Sequence, residues 1–130
     1  MTDRGHLTET YVVPLPWKKP PMSLNDRGGW RVKYEANKEV IDAAWFAIRA
    51  ARLPRVVGAV VTLHWRAPDR RRQDTDNMAA TLKPCMDALV DEGFIPDDSW
   101  VCVPRSGQVI HPPDPEANGP EMWLELAPCD

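Results

Sequence analysis

Two aspartates separated by one residue are the leading candidates for chemistry in this sequence. Asp74 and Asp76 stand in the run Asp-Thr-Asp-Asn, and on an extended segment side chains two residues apart point to the same side. Two carboxylates held so close repel each other, and a divalent cation relieves that repulsion; Mg²⁺ prefers a few carboxylate oxygens together with water and phosphate oxygens. The pair therefore indicates a metal site that could receive a phosphate. The alternative is a local role, in which Asp76 or Asn77 caps the following helix.

A lysine and a second acidic pair follow this run. Lys83 comes after Asp76 on the predicted helix, where its ammonium could orient a water or stabilise charge on a pentacoordinate phosphate. The alternative is a surface lysine that pairs with Asp87 one helical turn later. Asp97 and Asp98 occupy a predicted turn, and a chain that folds back after the helix would bring them beside the first pair. Taken singly, this second pair is typical of a turn.

Positive charge is concentrated in the first two thirds of the chain. The net charge of −3 argues mildly against a nucleic-acid partner, but residues 1–85 hold 15 of the 16 Lys and Arg against 9 Asp and Glu. Such a distribution either places a basic face beside an acidic site or is an uneven spread of solvated charge. Phosphate contacts by basic groups depend on salt and not on base sequence. The candidates for such contacts with DNA are Lys18, Lys19, Arg27, Arg31, Lys33, Arg70, Arg71 and Arg72.

The hydrophobic pattern predicts the elements that must position these residues. A proline cluster that begins at Pro14 should end the first strand, since proline cannot donate a ladder hydrogen bond. Helical spacing of apolar residues predicts two helices, and runs rich in β-branched or alternating residues predict four strands. In chain order we expect a strand at Thr10–Val13, a helix from about Val32 to Arg52, a strand at Val56–Trp65, a helix within Asn77–Asp91, and strands at Trp100–Ile110 and Glu121–Leu126.

The order β-α-β-α-β-β favours an α/β or α+β fold. We expect residues 1–130 to form a single domain with one mixed β-sheet and two main helices. Gly93 is a predicted C-terminal cap of the second helix. Pro84 leaves two alternatives for that helix: it begins near Leu82 with the proline in its first turn, or it bends at the proline.

Several other functions are disfavoured by the sequence. Cys85, Cys102 and Cys129 lack the close spacing of zinc ligands, so we expect reduced and mostly buried thiols. No apolar run approaches the ~20 residues of a membrane span, and the N-terminal residues lack a signal-peptide core, which predicts a cytoplasmic protein. His64 lies in an apolar strand and is predicted to be a satisfied structural histidine.

The tryptophans are predicted to be mostly core residues. Trp30 stands in a loop of turn-forming residues and could instead touch DNA or a partner, although packing is favoured. The sequence contains six tryptophans, at positions 17, 30, 45, 65, 100 and 123.

The acids, the lysine and the residues around them together form an ordered pattern. It resembles the core signature of the RusA-like Holliday-junction resolvases, and the likeness extends roughly from Pro14 to Val103. The segments that carry it are Pro21-x-Ser23-Leu24-Asn25-x-Arg27, Asp74-x-Asp76-Asn77, Lys83-x-x-x-Asp87-Ala88-Leu89 and Gly93-Phe94-Ile95-x-Asp97-Asp98-Ser99.

The resemblance implies a fold, an activity and a set of site residues. Members of that family are small homodimeric α/β endonucleases, often carried by phages and prophages, that cut four-way DNA junctions with Mg²⁺ or Mn²⁺. By position, Asp74, Asp76 and Asp98 would be the metal-binding catalytic acids and Lys83 the essential lysine. The implied reaction is in-line hydrolysis, in which the metal polarises the scissile phosphate and lowers the pKa of the attacking water.

The sequence departs from the family pattern around the lysine. The segment Met78–Leu82 looks longer than in the best-known members and Pro84 follows directly, which bears on the position of Lys83 more than on the carboxylates. Asp97 is adjacent to Asp98 and competes with it for the third ligand position. Two alternatives to a junction resolvase stay open: a nuclease of the same fold that prefers flaps or forks, and a non-catalytic DNA-binding regulator on the same scaffold.

Overall fold

The structure is a computed structural model that describes residues 4–21, 30–72, 75–117 and 121–129, and only the backbone of residues 30–34 and 75–77. Its elements occur in the predicted order. They are β1 (Tyr11–Leu15), α1 (Trp30–Ala51), β2 (Val60–Arg66), α2 (Thr75–Glu92), β3 (Ser106–His111) and β4 (Glu121–Ala127).

The four strands form one mixed sheet in the order β1-β4-β2-β3. β2 and β3 are parallel, and α2 is the crossover that connects them, as a parallel pair requires. β4 runs antiparallel to both β1 and β2. The predicted single α+β domain with a mixed sheet and two helices is therefore confirmed.

Both helices contribute to one core with the inner face of the sheet. Burial alternates along β2 and β4, as expected for strands covered on one side only. The apolar face of each helix supplies the opposite wall of the core. Core residues include Val61, Leu63 and Trp65 of β2, Met122, Leu124 and Leu126 of β4, Ala44 and Ile48 of α1, and Met78 and Leu89 of α2.

Two element boundaries differ from the predictions because prolines are tolerated. β1 continues through Pro14, which lies opposite Trp123, so the prediction that this strand ends at Val13 is wrong. β1 is at the edge of the sheet, where a residue without an N–H costs no ladder bond on the open side. α2 runs through Pro84, so the alternative of a helix that begins near Leu82 is also wrong.

A third difference concerns the segment after α2. The predicted strand from Trp100 is wrong over its first residues, because β3 begins only at Ser106. The preceding residues form a turn, in which the N–H groups of Cys102 and Val103 both donate to the carbonyl oxygen of Ser99.

The C-terminus of α2 is closed as the sequence predicts. Gly93 adopts a φ of 89°, the left-handed conformation that favours glycine, and its N–H donates to the carbonyl of Val90. Phe94 donates to the carbonyl of Leu89 and is itself buried. The Arg4 guanidinium donates to the carbonyl oxygens of Gly93 and Phe94 at 2.9 and 3.2 Å. These bonds turn the chain back along α2 and so direct the acidic turn that follows.

The prediction of reduced and mostly buried thiols is confirmed. Cys85 and Cys102 are buried free thiols, whereas Cys129 is exposed. Burial raises the pKa of Cys85 to about 12, so its thiol stays protonated at neutral pH. Within residues 4–21, 30–72, 75–117 and 121–129, no helix is long and apolar enough to cross a membrane.

Candidate active site

The side chains of Lys83 and Asp98 are in direct contact although 15 positions separate them in the chain. The Lys83 ammonium donates to Oδ2 of Asp98 at 2.7 Å. It also donates to Oδ1 of Asp87, one helical turn later, at 3.0 Å. Lys83 therefore makes the local pair with Asp87 that the sequence offered as an alternative, and it also contacts Asp98, which the sequence analysis did not predict.

These contacts shift the ionisation of both partners. The hydrogen bond from Lys83, reinforced by its charge, holds the pKa of Asp98 below its ordinary value. Hydrogen bonds to Asp98 and Asp87 raise the pKa of Lys83. Both side chains are open to solvent, with 65% of the Lys83 side chain and 40% of the Asp98 side chain exposed. Because exposed ion pairs contribute only about 0.2–1 kcal/mol, this arrangement does little for stability.

The neighbouring aspartate has a different role. Oδ1 of Asp97 accepts a hydrogen bond from the backbone N–H of Ser99 at 2.8 Å. Hydrogen bonds from Ser99 lower the pKa of Asp97. Of the two adjacent acids, Asp97 thus shapes the turn, and Asp98 is the one whose carboxylate meets Lys83.

A shallow depression of about 390 Å³ surrounds this pair. Its wall combines residues of both helices with the acidic turn, so carboxylate oxygens and one ammonium face the same opening. Oxygen donors of this kind suit Mg²⁺ or Mn²⁺ and not the softer metals. The lining residues are Ile41, Lys83, Asp87, Val90, Asp91, Asp97 and Asp98.

The first acidic pair is described only in part. Asp74 lies outside the described residues, and for Asp76 the backbone alone is described. The expected extended segment is wrong at residue 76, because α2 already begins at Thr75. For the same reason neither Asp76 nor Asn77 is at the capping position, since both are inside the helix.

The helix nevertheless relates residue 76 to the lysine. Residues 76 and 83 are separated by close to two turns of about 3.6 residues, which puts both positions on one side of α2, roughly 10 Å apart along its axis. Among the side chains that the structure describes, no cluster of three or more His, Cys, Asp or Glu could hold a metal ion. The predicted ligand set includes Asp74 and Asp76, whose side chains are not among them.

The candidate DNA contacts fall on two adjoining segments. Lys18 and Lys19 are exposed after β1, and they share an apolar groove of about 520 Å³ with Pro68, at the start of the basic loop after β2. Arg70, Arg71 and Arg72 follow on that loop and are exposed, with the Arg71 guanidinium 3.0 Å from the Asp69 carboxylate. Arg27 lies outside the described residues, and Arg31 and Lys33 are described only as backbone of α1.

A polar cluster on the open face of the sheet escaped the sequence reasoning. His64 is satisfied, as predicted: its Nδ1 is 2.8 Å from Nε2 of His111, and its Nε2 is 3.0 Å from a carboxylate oxygen of Glu125. The rings of His64, His111 and Trp123 are nearly parallel. His111 and Glu125 carry no local signal, because the contacts depend on the register of three strands.

The prediction for Trp100 is wrong. Its place in a predicted strand implied a core residue, but the side chain is 80% exposed in the turn that follows Asp98. Trp65 is buried as expected, and Trp17 and Trp45 are partly buried against the core. The side chain of Trp30 is not among those that the structure describes.

No protein-family model matches the chain, and neither does any curated protein sequence. The likeness to the RusA-like resolvases thus depends on the residues and spacing set out above.

Proposed function

We propose that this protein is a metal-dependent endodeoxyribonuclease that acts on branched DNA, with the four-way junction as its principal substrate. The observation that carries the proposal is the 2.7 Å contact between Lys83 and Asp98. This contact joins Lys83 and Asp98, the last two residues of the proposed set Asp74, Asp76, Lys83 and Asp98. The helix adds position 76 on the same side of α2 as the lysine.

The chemistry assigned to each residue follows from its charge and exposure. Asp74, Asp76 and Asp98 would hold Mg²⁺ or Mn²⁺, which supplies Lewis acidity at the scissile phosphate and a more acidic bound water. Lys83 has a raised pKa and stays protonated at neutral pH, so it acts as a charged hydrogen-bond donor and not as a general base. Placed beside the phosphate, its charge would stabilise the pentacoordinate transition state.

Substrate binding is assigned to the two basic segments. Lys18 and Lys19 adjoin the loop that carries Arg70–Arg72, and all are exposed. Contacts of these groups with phosphates would tolerate any base sequence, which suits recognition of branch shape. A homodimer would present two such sites related by a twofold axis, as symmetric cleavage of a four-way junction requires.

Cleavage assays with matched variants test the proposal. A synthetic four-way junction, a flap and a linear duplex are incubated with the protein and Mg²⁺, then again with EDTA. We expect Mg²⁺-dependent cutting of the junction, and loss of cutting but not of binding in Asp76→Asn and Asp98→Asn. Asp91→Asn is the matched control, because Asp91 lines the same depression and loses the same charge without belonging to the proposed ligand set.

Three other results of the cleavage assay would change the proposal. Equal cutting by the parent and Asp98→Asn would overturn the assignment of the site. Preferred cutting of the flap would replace the junction as substrate while retaining the nuclease. Tight junction binding without cutting, in Mg²⁺ and in Mn²⁺, would point to a non-catalytic DNA-binding protein on this scaffold.

A further inference from the structure

Trp100 is an exposed tryptophan beside the candidate active site. Its side chain is 80% exposed, and the adjacent Val101 is 69% exposed. Tryptophan normally buries a large apolar surface in a core or an interface. Two exposed apolar residues at the tip of one turn therefore indicate a contact surface and not packing within this chain.

The turn holds Trp100 in a fixed position. The carbonyl of Ser99 accepts hydrogen bonds from Cys102 at 3.0 Å and from Val103 at 2.8 Å, and both of these residues are buried. Ala59, just before β2, donates to the carbonyl of Cys102 at 2.9 Å. Both ends of the turn are thus tied down, and the indole is presented without the entropy cost of ordering a loose loop.

Trp100 also lies close in the chain to a residue of the proposed active site. Trp100 is two residues after Asp98, so their Cα atoms are at most about 7 Å apart. A phosphate bound by Lys83 and by the metal ion that Asp98 would hold would therefore lie near Trp100, with a neighbouring nucleotide within reach of the indole. Val101 adds an apolar surface next to the ring.

The chemistry of the turn favours a base over a phosphate as the contact. Asp97 and Asp98 precede Trp100, and aspartate side chains are negatively charged at neutral pH. Their negative charges repel phosphate oxygens that no cation neutralises. An aromatic ring, in contrast, stacks on the π-face of any unpaired base, independently of sequence.

We propose that Trp100 stacks on an unstacked base at the branch point of the DNA, next to the phosphate that Lys83 would contact. This inference rests on the proposed function, because it assigns the feature by which the same site distinguishes branched DNA from a continuous duplex. In a duplex the bases are already stacked and paired, so the indole would gain little from them.

Binding measurements without cleavage test this contact. A four-way junction that carries the fluorescent base 2-aminopurine beside the branch point is titrated with protein in Ca²⁺ in place of Mg²⁺. We expect Trp100→Ala to weaken junction binding by roughly 5- to 100-fold and to abolish quenching of the 2-aminopurine. Trp100→Phe keeps an aromatic face and should retain most of the junction affinity and most of the quenching. Duplex binding should be the same in all three proteins.

Phe46→Ala is the matched control, because Phe46 is an exposed aromatic residue of α1, 68% exposed. If the parent itself does not prefer the junction over the duplex, the proposed function fails. If the parent prefers the junction and Trp100→Ala behaves as Phe46→Ala does, only the role of Trp100 fails. Unchanged DNA binding with a lower sedimentation coefficient in Trp100→Ala would also overturn it, and would place a second copy of the chain on Trp100.

Discussion

Replacing Lys83 by Met should separate catalysis from stability. The methionine keeps an unbranched apolar chain of similar length over α2 but removes the ammonium that contacts Asp98 at 2.7 Å and Asp87 at 3.0 Å. Each pair is exposed, so each contributes about 0.2–1 kcal/mol, and the variant should lose no more than about 2 kcal/mol of unfolding free energy. Loss of one donor that stabilises a transition state lowers the rate roughly 100- to 1000-fold.

The same variant should change the titration of Asp98. The hydrogen bond from Lys83 is the main cause of the lowered pKa of Asp98, so this pKa should rise toward its ordinary value in Lys83→Met. A lowered aspartate pKa gives stability that is present above the unfolded-state pKa of about 3.9 and is lost as the pH falls through the folded-state pKa. The acid side of the stability profile should therefore be less steep in the variant than in the parent.

Three measurements check these expectations. Urea denaturation gives the unfolding free energy, NMR titration of the Asp98 carboxyl carbon gives its pKa, and junction cleavage with Mg²⁺ gives the rate. Unchanged cleavage together with a raised pKa of Asp98 would contradict the catalytic role of Lys83, because the lysine would then be a structural partner only. A stability loss above about 3 kcal/mol would contradict the small contribution of these pairs to stability, since an exposed pair cannot supply that much.

Three further predictions concern the core, the open face of the sheet and the thiols. Phe94→Ala removes a side chain that is 2% exposed in the turn that returns from α2, and urea denaturation should show a loss of about 3–5 kcal/mol; a loss below 1 kcal/mol would contradict its place in the core. Burial, followed by nearby positive charge, lowers the pKa of His111, so this residue should reduce stability as the pH falls below the unfolded-state value of about 6.5. His111→Asn should lose less stability than the parent between pH 7.5 and 5.5, and an identical profile would argue against the shift. At pH 8, iodoacetamide followed by mass spectrometry should label the exposed Cys129 and leave the buried Cys85 unmodified, and rapid labelling of Cys85 would contradict its burial.

The fold was predictable where hydrophobic periodicity spans a whole element. Both helices and the order of the strands follow from that pattern, and Gly93 ends α2 with the expected left-handed conformation. The predicted ends of elements were wrong where they depend on the position of the element in the folded sheet. Pro14 is compatible with β1 only because β1 is an edge strand, and no local pattern reveals which strand is at the edge.

The prediction for the segment after Asp98 was wrong for a different reason. Trp100, Val101, Cys102 and Val103 form a run that is typical of a strand, yet only the last two are buried. The run instead forms a turn around the carbonyl of Ser99, and strand propensity does not distinguish the two conformations.

Less of the candidate site than of the fold was predictable from the sequence. The sequence suggested that the chain folds back at Gly93, and Gly93 does end α2 in the left-handed conformation, but the direct contact of Asp98 with Lys83 was not predicted. The contact between His64 and His111 was not predictable, because it depends on the parallel register of β2 and β3. A shift of that register by one residue would move the side chains of the shifted strand to the opposite face of the sheet.

A crystal structure of the protein with Mn²⁺, collected at a wavelength that reveals the anomalous signal of manganese, would show whether the three aspartates form a metal site. We expect one or two manganese ions, each bound to carboxylate oxygens at about 2.2 Å, with Asp74, Asp76 and Asp98 as the protein ligands. The proposed site is wrong if saturating Mn²⁺ gives no anomalous peak at these residues, or if the carboxylates of Asp74 and Asp76 point away from Asp98 while its contact with Lys83 persists.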